Sequence, residues 1–334
     1  MKRFGNLFDK ICDFNNLIKS THLAVRGKKN RMDVSAFYFN MEFEIIQLQE
    51  ELFTENYKPI PYESFYVYEP KKRHICKAGF RDRVLHHAIC RILEPIFEQK
   101  FIYDSYACRK KKGHHKAVLQ VQKSSRGTEY FLKADIHKFF ASVDHSILKR
   151  LLCRIIKDRK VLRLMEIIID HPIPEHIPGK GLAIGNLTSQ WWANFYLNSL
   201  DHYIKDELGV KRYFRYMDDF VLLDDNKEKL QDFLQKISEY LEINLCLKLK
   251  NNATFIAPIQ QGIPFLGFRI FPYLIRLKRT NLVRFRRKFR QKEKAYLNGK
   301  ISEDTFIRSV SSMIGHIKHA NTYQMRQDFF WGKY

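Results

Sequence analysis

The chain has 334 residues, enough for about two domains or for one deeply cleft enzyme built of several subdomains. Lysine and arginine number 59 against 36 aspartates and glutamates, which gives a formal net charge of +23. This excess argues against an ordinary neutral metabolic enzyme and favours a polyanionic partner. Hydrophobic residues make up 45% of the chain, so a sizeable core is expected and a disordered basic tail is excluded.

Nucleic acid is favoured over a membrane surface as that partner. The sequence has no apolar run of about 18 residues, and its first segment lacks the apolar core of a signal peptide. The six cysteines are scattered and form no CxxC pair. This pattern predicts reduced thiols and a cytoplasmic chain without a membrane partner.

The first third of the chain is predicted to be mostly helical. Helical spacing of apolar residues dominates 1–60, where Pro59 ends the last helix. Alternation over 64–80 then predicts a strand pair with its turn at 70–72. A further amphipathic helix is predicted for 81–101.

The middle of the chain alternates between strands and helices. We predict a buried strand at 129–136, one amphipathic helix over 144–169 and another over 187–208. Two apolar, β-prone runs then flank Met217, Asp218 and Asp219, which is the pattern of a hairpin with acidic residues at its tip.

A further helix at 227–242 and short strands ending near Phe271 follow the hairpin. Residues 276–294 contain ten lysines and arginines and one acidic residue, which indicates a separable basic helical region. No repeat or flexible linker divides the chain, so we expect contiguous subdomains. The boundaries we predict are 1–60 for an N-terminal helical extension, 61–125 for fingers, 126–271 for a palm with part of the fingers inserted, and 272–334 for a basic helical thumb.

Three carboxylates stand at the ends of apolar strands. Asp218 and Asp219 are adjacent, so both stay ionised only where a cation or solvent neutralises them. Asp135 ends another predicted strand upstream. Oxygen ligands of this kind suit hard divalent cations, and a Mg²⁺ pair would activate a hydroxyl and stabilise a leaving oxygen. A single Asp-Asp pair is most often a solvated turn, so the pair alone does not decide the function.

The segment Tyr216-Met217-Asp218-Asp219 resembles the YxDD motif of reverse transcriptases, and four other segments resemble that family in the expected order. These are EPKKRHI with FRDR for the basic fingers motifs, LKADIHKFF for the first metal-binding aspartate, GLAIGNLTSQ for nucleotide and template contact, and PFLGFRI for the primer grip. The resemblance covers roughly residues 60–320. It implies an α+β right-hand polymerase fold, with fingers, a palm of antiparallel sheet plus helices, and a short helical thumb.

Within that family, three segments resemble the reverse transcriptases of diversity-generating retroelements. They are an IGxxxSQ sequence at 184–190, where most bacterial relatives have QGxxxSP, DSYACRKKKGHHKA at 104–117 and GHIKHANT at 315–322. This resemblance implies cDNA synthesis from a structured template RNA, with primer and dNTPs, and selective errors at template adenines. It also implies a small, basic, oligomeric accessory protein as a partner.

The resemblance also assigns residues to the catalytic centre. Asp135, Asp218 and Asp219 would be catalytic and would hold two Mg²⁺ ions, for which Mn²⁺ is a substitute, together with the backbone carbonyl of Ile136. Phe140 matches the steric gate that rejects a ribose 2′-hydroxyl by clash. The alternative, that Phe140 belongs to the core, stays open at this point.

Nucleotide and nucleic-acid contacts follow from the same resemblance. Nucleotide contacts would come from Lys72, Arg73, Ile184, Gly185, Asn186, Gln190 and Lys248. Nucleic acid would be bound by Arg81 and Arg83, and in the thumb by Arg284, Arg286, Arg287 and Arg290. Several alternatives remain open: a solvated turn at Lys72, helix capping by Asn186, pairing of Asp82 with one of the neighbouring arginines, and Lys250 in place of Lys248.

Two further functions remain open from the sequence. One is a retron-type or antiphage-defence reverse transcriptase, which keeps the chemistry and changes the biological system. The other is a catalytically silent RNA-binding scaffold on a polymerase fold. A primer-extension assay separates the scaffold from both enzymes, because it would bind RNA and incorporate nothing.

Overall fold

The computed structural model describes residues 3–69 and 71–330. In chain order the helices of this part are α1 (Phe8–Cys12), α2 (Phe14–Val25), α3 (Met32–Phe39), α4 (Met41–Phe53), α5 (Phe80–Glu98), α6 (His114–Ser125), α7 (Phe139–Ser142), α8 (His145–Cys153), α9 (Arg159–Ile169), α10 (Leu187–Tyr196), α11 (Asn198–His202), α12 (Lys227–Leu245), α13 (Arg279–Leu297), α14 (Glu303–Ile317) and α15 (Tyr323–Phe330).

The strands of the same part are β1 (Glu63–Val67), β2 (Arg73–Lys77), β3 (Tyr130–Asp135), β4 (Arg212–Tyr216), β5 (Asp219–Asp224), β6 (Phe255–Pro258), β7 (Ile263–Phe265), β8 (Phe268–Ile270) and β9 (Ile275–Leu277). Every pairing between these named strands is antiparallel. Helices mixed with antiparallel sheets confirm the α+β class that the sequence predicts.

The chain forms two compact units, each assembled from separate stretches of sequence. The first unit contains 1–103, 136–207 and 237–248, and the second contains 104–135, 208–236 and 249–334. The fingers, palm and thumb boundaries predicted from the sequence remain predictions.

The first unit is mainly helical and is organised around α5. Helices α2 and α10 pack against it, because their apolar faces meet the buried side of its amphipathic sequence. Phe97 of α5 lies 4.9 Å from Phe195 and 5.9 Å from Trp191 of α10, measured between ring centroids. The predicted strand pair is confirmed as β1 and β2, and Pro70 of its predicted turn lies outside the described residues.

The second unit contains the predicted acidic hairpin. Its larger sheet has the strand order β4-β5-β3-β6, and its smaller sheet has the order β7-β8-β9. The inner four residues of both β3 and β5 are buried, as expected for neighbouring central strands with apolar side chains on both faces. Helix α6 packs on this core through Ala117, Val118 and Val121.

Two of the predicted helices are interrupted in the structure. The single helix predicted over 144–169 is wrong, because α8 ends at Cys153 and α9 starts at Arg159. Asp158 caps α9 by accepting a hydrogen bond from the Val161 amide at 3.4 Å. The helix predicted over 187–208 is likewise divided into α10, α11 and a π-helical turn at Tyr203–Glu207.

No helix in the described part of the chain is both long enough and apolar enough to cross a membrane.

Candidate active site

Three carboxylates meet at one edge of the four-stranded sheet. Asp135 is the last residue of β3 and Asp219 the first of β5, and the antiparallel register places them directly opposite each other. Asp218 lies in the two-residue turn that joins β4 to β5. The structure therefore brings the three predicted acidic residues together, all within the second unit.

Asp219 lies in a strongly charged environment. The pKa of its carboxyl is raised from 3.8 to about 6, mainly by burial and also by repulsion from Asp135 and Asp218, whereas Lys133 acts in the opposite direction. The Lys133 ammonium donates to Asp219 Oδ1 and also to the Ala134 carbonyl at 3.0 Å. Lys133 precedes Asp135 by two residues, so its side chain leaves the same face of β3.

A second buried cation, Arg215, contacts the acidic turn. The side chain of Arg215, in β4, is completely buried, and it donates to the Met217 carbonyl at 3.1 Å and to Ser105 Oγ at 3.3 Å. Met217 adopts a φ of +54°, a conformation that is uncommon for a residue with a side chain. The guanidinium therefore helps to hold the turn in the shape that presents Asp218 and Asp219.

The segment 104–106 adds a backbone contact beside this turn. The Arg215 amide donates to the Asp104 carbonyl at 3.0 Å, and the Tyr106 amide donates to the Arg215 carbonyl at 2.9 Å. Neither Lys133 nor Arg215 was predicted from the sequence to be functional. The available signal was a charged residue inside each apolar strand, which is unusual unless the charge has a partner.

The three carboxylates have the oxygen donors that divalent cations prefer. Asp135 and Asp219 on adjacent strands, with Asp218 in the adjoining turn, supply hard oxygen ligands, and repulsion from Asp135 and Asp218 adds to the burial that raises the pKa of Asp219. The backbone carbonyl of Asp135 accepts a hydrogen bond from the Lys250 amide at 2.8 Å. The Ile136 carbonyl remains a predicted ligand.

In the first unit, residues 184–186 are joined to β2. The Cys76 amide donates to the Ile184 carbonyl at 2.9 Å. Gly185 has a φ of +124°, and a Cβ at this position would meet Ile75 Cγ2 at 3.0 Å. Glycine is therefore required here both for the backbone conformation and for the close approach to β2.

Asn186 has a different role from the two that the sequence suggested. Its side chain is 1% exposed, accepts a hydrogen bond from the Ala78 amide at 3.0 Å and donates to the Cys76 carbonyl at 3.0 Å. It makes no capping hydrogen bond to α10 and does not reach solvent. Asn186 is therefore a positioning residue for the 184–186 segment, whereas Gln190 is exposed on α10.

The two adjacent phenylalanines that follow β3 have different environments. Phe139 is buried in the first unit, whereas Phe140 is half-exposed and lies 5.7 Å from Phe139 between ring centroids. Phe139 therefore belongs to the core. Phe140 is partly accessible, and its role as the gate stays a prediction.

The predicted triphosphate residues are accessible. Arg73 begins β2 and is exposed, and the Lys72 ammonium lies 4.4 Å from the centre of the Tyr66 ring. This cation–π contact orients Lys72 without neutralising its charge. Lys248 is also exposed, whereas Lys250 is half-exposed.

Arg81 and Arg83 do not project as phosphate ligands in this structure. Arg81 donates to both oxygens of Glu51 at 2.8 Å and pairs with Asp82 at 3.2 Å, so the predicted pairing with Asp82 is confirmed. Arg83 is 7% exposed and donates to the Ala24 carbonyl at 3.4 Å. Arg81 is engaged by Glu51 and Asp82, whereas the buried Arg83 keeps Nη1 without a hydrogen-bond partner, and the template contacts of both residues stay predictions.

The basic residues of α13 lie on a helix with one apolar face. Phe285 and Phe289 are buried, and Phe289 lies 4.8 Å from Phe329 and 6.1 Å from Phe306 between ring centroids. Arg287 and Arg290 are exposed, Arg286 is half-exposed, and half-exposed Arg284 donates to Asn281 Oδ1 at 2.7 Å. One surface concavity is lined by Val283, Arg286, Arg287, Arg290, Gln291 and Lys294.

Comparison with known proteins places these residues in a family. The family model for reverse transcriptase (RNA-dependent DNA polymerase) matches residues 61–270. Protein YkfC of Escherichia coli is 25% identical over 274 residues, covering 68% of this chain and 71% of that protein. The group II intron-encoded protein LtrA of Lactococcus lactis is 23% identical over 357 residues, covering 86% of this chain and 58% of LtrA.

Other matches are shorter or more distant. Nuclear intron maturase 1 of Arabidopsis thaliana is 34% identical over 87 residues, which is 26% of this chain and 12% of the maturase. The chain thus spans less than two thirds of both LtrA and the maturase. An apo telomerase structure from Candida tropicalis aligns with a TM-score of 0.48 and 11% identity, over 70% of this chain and 59% of that one. The chain belongs to the reverse transcriptase family, the RNA-dependent DNA polymerases, as its acidic motifs predicted.

Proposed function

We propose that this chain synthesises DNA on an RNA template, with Asp135, Asp218 and Asp219 holding two Mg²⁺ ions. The observation that carries the proposal is the register that sets Asp135 opposite Asp219, with Asp218 in the adjoining turn, in a chain of the reverse transcriptase family. When bound, such ions activate an attacking hydroxyl and stabilise a leaving oxygen.

The protein's own groups position the reactants in this proposal. Arg73 and Lys72 attract the triphosphate of the incoming nucleotide, because exposed cations bind phosphate oxygens strongly. Phe140 lies beneath the sugar and excludes a 2′-hydroxyl by its volume. Gln190 contacts nucleotide or template, and Asn186 and Gly185 fix the segment from which α10 begins. Lys248 or Lys250 protonates the leaving pyrophosphate.

Primer extension on an RNA template tests the polymerase proposal. We expect the double substitution Asp218→Asn and Asp219→Asn to abolish dNTP incorporation while RNA binding persists, because the exposed lysines and arginines supply affinity. Asp224→Asn, at the other end of β5, is the matched control and should remain active. Full extension by the double variant would exclude these carboxylates as the catalytic group.

We propose further that the chain is the reverse transcriptase of a diversity-generating retroelement and makes selective errors at template adenines. Support comes from Ile184, which offers bulk and no side-chain hydrogen bond where most bacterial relatives have glutamine. One hydrogen bond contributes about 0.5 to 1.5 kcal/mol, or roughly 2- to 13-fold in discrimination. A structured template RNA and a small, basic, oligomeric accessory protein, in the cytoplasm, complete the proposal.

Sequencing of cDNA made on a template with all four bases tests this class. We expect errors concentrated opposite adenine, with fewer of them in the Ile184→Gln variant. Errors spread evenly over the four bases would instead favour a retron-type or antiphage-defence reverse transcriptase. RNA binding without any incorporation by the wild-type chain would favour the silent scaffold.

A further inference from the structure

Four histidines from distant parts of the sequence meet in the second unit. His114 and His115 begin α6 directly after Gly113, whose φ is +106°. His316 lies in the last turn of α14, and His319 lies in the turn that follows. The two pairs belong to the segments GHHKA and GHIKHANT, which the sequence analysis used only to assign a subclass.

The imidazole rings are in close contact. The ring centroid of His115 lies 3.6 Å from that of His114 and 3.4 Å from that of His319. The ring of His316 is 5.8 Å from His114 and 5.9 Å from His115. Phe268 of β8 closes one side, with its ring 5.5 Å from His316 and 6.4 Å from His115.

Three of these side chains satisfy a tight geometric condition for ion binding. One ring nitrogen each from His114, His115 and His316 lies within 4.8 Å of the other two. Among residues 3–69 and 71–330, this is the single group of three or more histidine, cysteine or acidic side chains that meets that condition. Ligand nitrogens around tetrahedral zinc are about 3.3 to 3.4 Å apart, so small side-chain rotations suffice.

The chemistry of the group favours neutral imidazoles with available lone pairs. Burial lowers the pKa of His115 to about 4, and the neighbouring histidines lower it further. Burial and neighbouring cationic groups also lower the pKa values of His114 and His316. His115 Nδ1 is buried and has no hydrogen-bond partner, although buried ring nitrogens are normally satisfied.

We propose that His114, His115 and His316 form a binding site for one zinc ion, separate from the Mg²⁺ chemistry of the polymerase. Neutral imidazole is a preferred ligand of zinc, whereas magnesium prefers oxygen ligands. Three protein ligands leave the fourth position for solvent, and the ring of Phe268 restricts access from one side. The ion would tie the start of α6 to the end of α14 and so fix the basic loop 109–112 relative to the thumb helices.

Metal content of the wild-type chain tests the site directly. The full chain is prepared without a histidine tag, stripped with a chelator and dialysed against zinc in excess Mg²⁺, which occupies the carboxylates. We expect about one zinc per chain, a tetrahedral absorption spectrum with Co²⁺ in place of zinc, and a melting temperature raised by zinc and not by Mg²⁺. No retained zinc, or a Co²⁺ spectrum like that of the hydrated ion, would overturn the proposal.

Single substitutions identify the ligands. His115→Asn and His316→Asn should each weaken zinc binding by at least about 100-fold, since loss even of an outer partner of a ligand weakens binding by about 10- to 100-fold. His22→Asn, at an exposed histidine of the first unit, controls for general loss of a histidine and should retain zinc. His319→Asn should also retain it, and loss of zinc from this variant would overturn the three-ligand assignment.

Discussion

Lys133 and Arg215 show how single buried cations shape the acidic site. Lys133 is 8% exposed and pairs with Asp219, so it balances part of the negative charge that burial makes unfavourable. Arg215 supports the backbone of the turn by donating to the Met217 carbonyl. Strand alternation predicts the face on which each side chain lies, but it does not identify a partner on another strand.

Substitution of Arg215 tests its support of the acidic turn. Arg215→Met removes the donors to the Met217 carbonyl and Ser105 Oγ, so we expect a loss of unfolding free energy of about 1 to 3 kcal/mol per orphaned group and a lower kcat. Arg215→Lys should recover only part of both, because an ammonium lacks the planar fork of the guanidinium. Urea unfolding and primer extension measure the two effects.

Arg212, three residues earlier in β4, provides the matched control. Its side chain is 40% exposed and lies 3.7 Å from Asp225. Exposed pairs contribute about 0 to 1 kcal/mol, so Arg212→Met should change stability and kcat little. Equal effects of the two substitutions would contradict a specific role for Arg215.

At the scale of elements, local sequence patterns predicted helices and strands, whereas features set by contacts between distant residues were not predicted. The hairpin of β4 and β5 follows from two apolar runs around a polar turn, and the structure confirms it. The break between α8 and α9 was missed because Asp158 also accepts hydrogen bonds from the amides of Leu7 and Phe8, at 2.8 and 3.1 Å. Contacts across such a span of sequence leave no periodic signal near residue 158.

Asn186 and Gln190, near the junction of β2 and α10, have different expected roles, structural for Asn186 and nucleotide binding for Gln190. Asn186→Ala leaves the Ala78 amide and the Cys76 carbonyl without their partner, so we expect a loss of about 1 to 3 kcal/mol of unfolding free energy for each group. Gln190→Ala, on the exposed side of α10, should change stability within about 0.5 kcal/mol. Under the proposed function it should instead raise the KM for dNTPs.

Urea unfolding and steady-state kinetics on the same preparations distinguish the two roles. If the Asn186→Ala protein were as stable as the wild type and had a raised KM for dNTPs, Asn186 would be assigned to nucleotide binding. Unchanged kinetics in Gln190→Ala would remove Gln190 from it.

The arginine face of α13 gives a prediction about salt. Single-stranded RNA binding should weaken with salt at a log–log slope of about −0.7 per phosphate contact, because each contact releases condensed counterions. Arg286→Gln, Arg287→Gln and Arg290→Gln combined should reduce that slope by up to about 2. The control is Arg308→Gln on α14, whose side chain is 84% exposed near Asp304. An unchanged slope in the triple variant would mean that α13 does not contact RNA.

At the scale of the whole molecule, buried histidines link stability to acid. Burial lowers the pKa of His86 in α5 from 6.5 to about 3, with His87 and Arg83 adding to the effect. Between about pH 3 and pH 6.5, His86 binds a proton in the unfolded chain but not in the folded chain. The stability contribution is therefore fully present above about pH 6.5 and falls as pH decreases, by up to about 1.4 kcal/mol per pH unit.

Unfolding free energies at about pH 7 and about pH 5 measure this linkage. We expect His86→Leu to lose less stability over the interval than the wild type, because the substitution removes one linked proton. His86 Nδ1 has no hydrogen-bond partner, so leucine also removes an unsatisfied atom. A slope in His86→Leu equal to that of the wild type would refute the assignment.

The position of β3 in its sheet determines the order in which the second unit is completed during synthesis. β3 pairs with β5 on one side and with β6 on the other, and both partners lie far downstream in the chain. At roughly 5 to 20 residues per second, translation leaves the hydrogen-bonding groups on both edges of β3 unpaired for on the order of ten seconds. Unpaired strand edges are templates for aggregation, so we expect a chaperone that binds the nascent chain to raise the yield of folded protein.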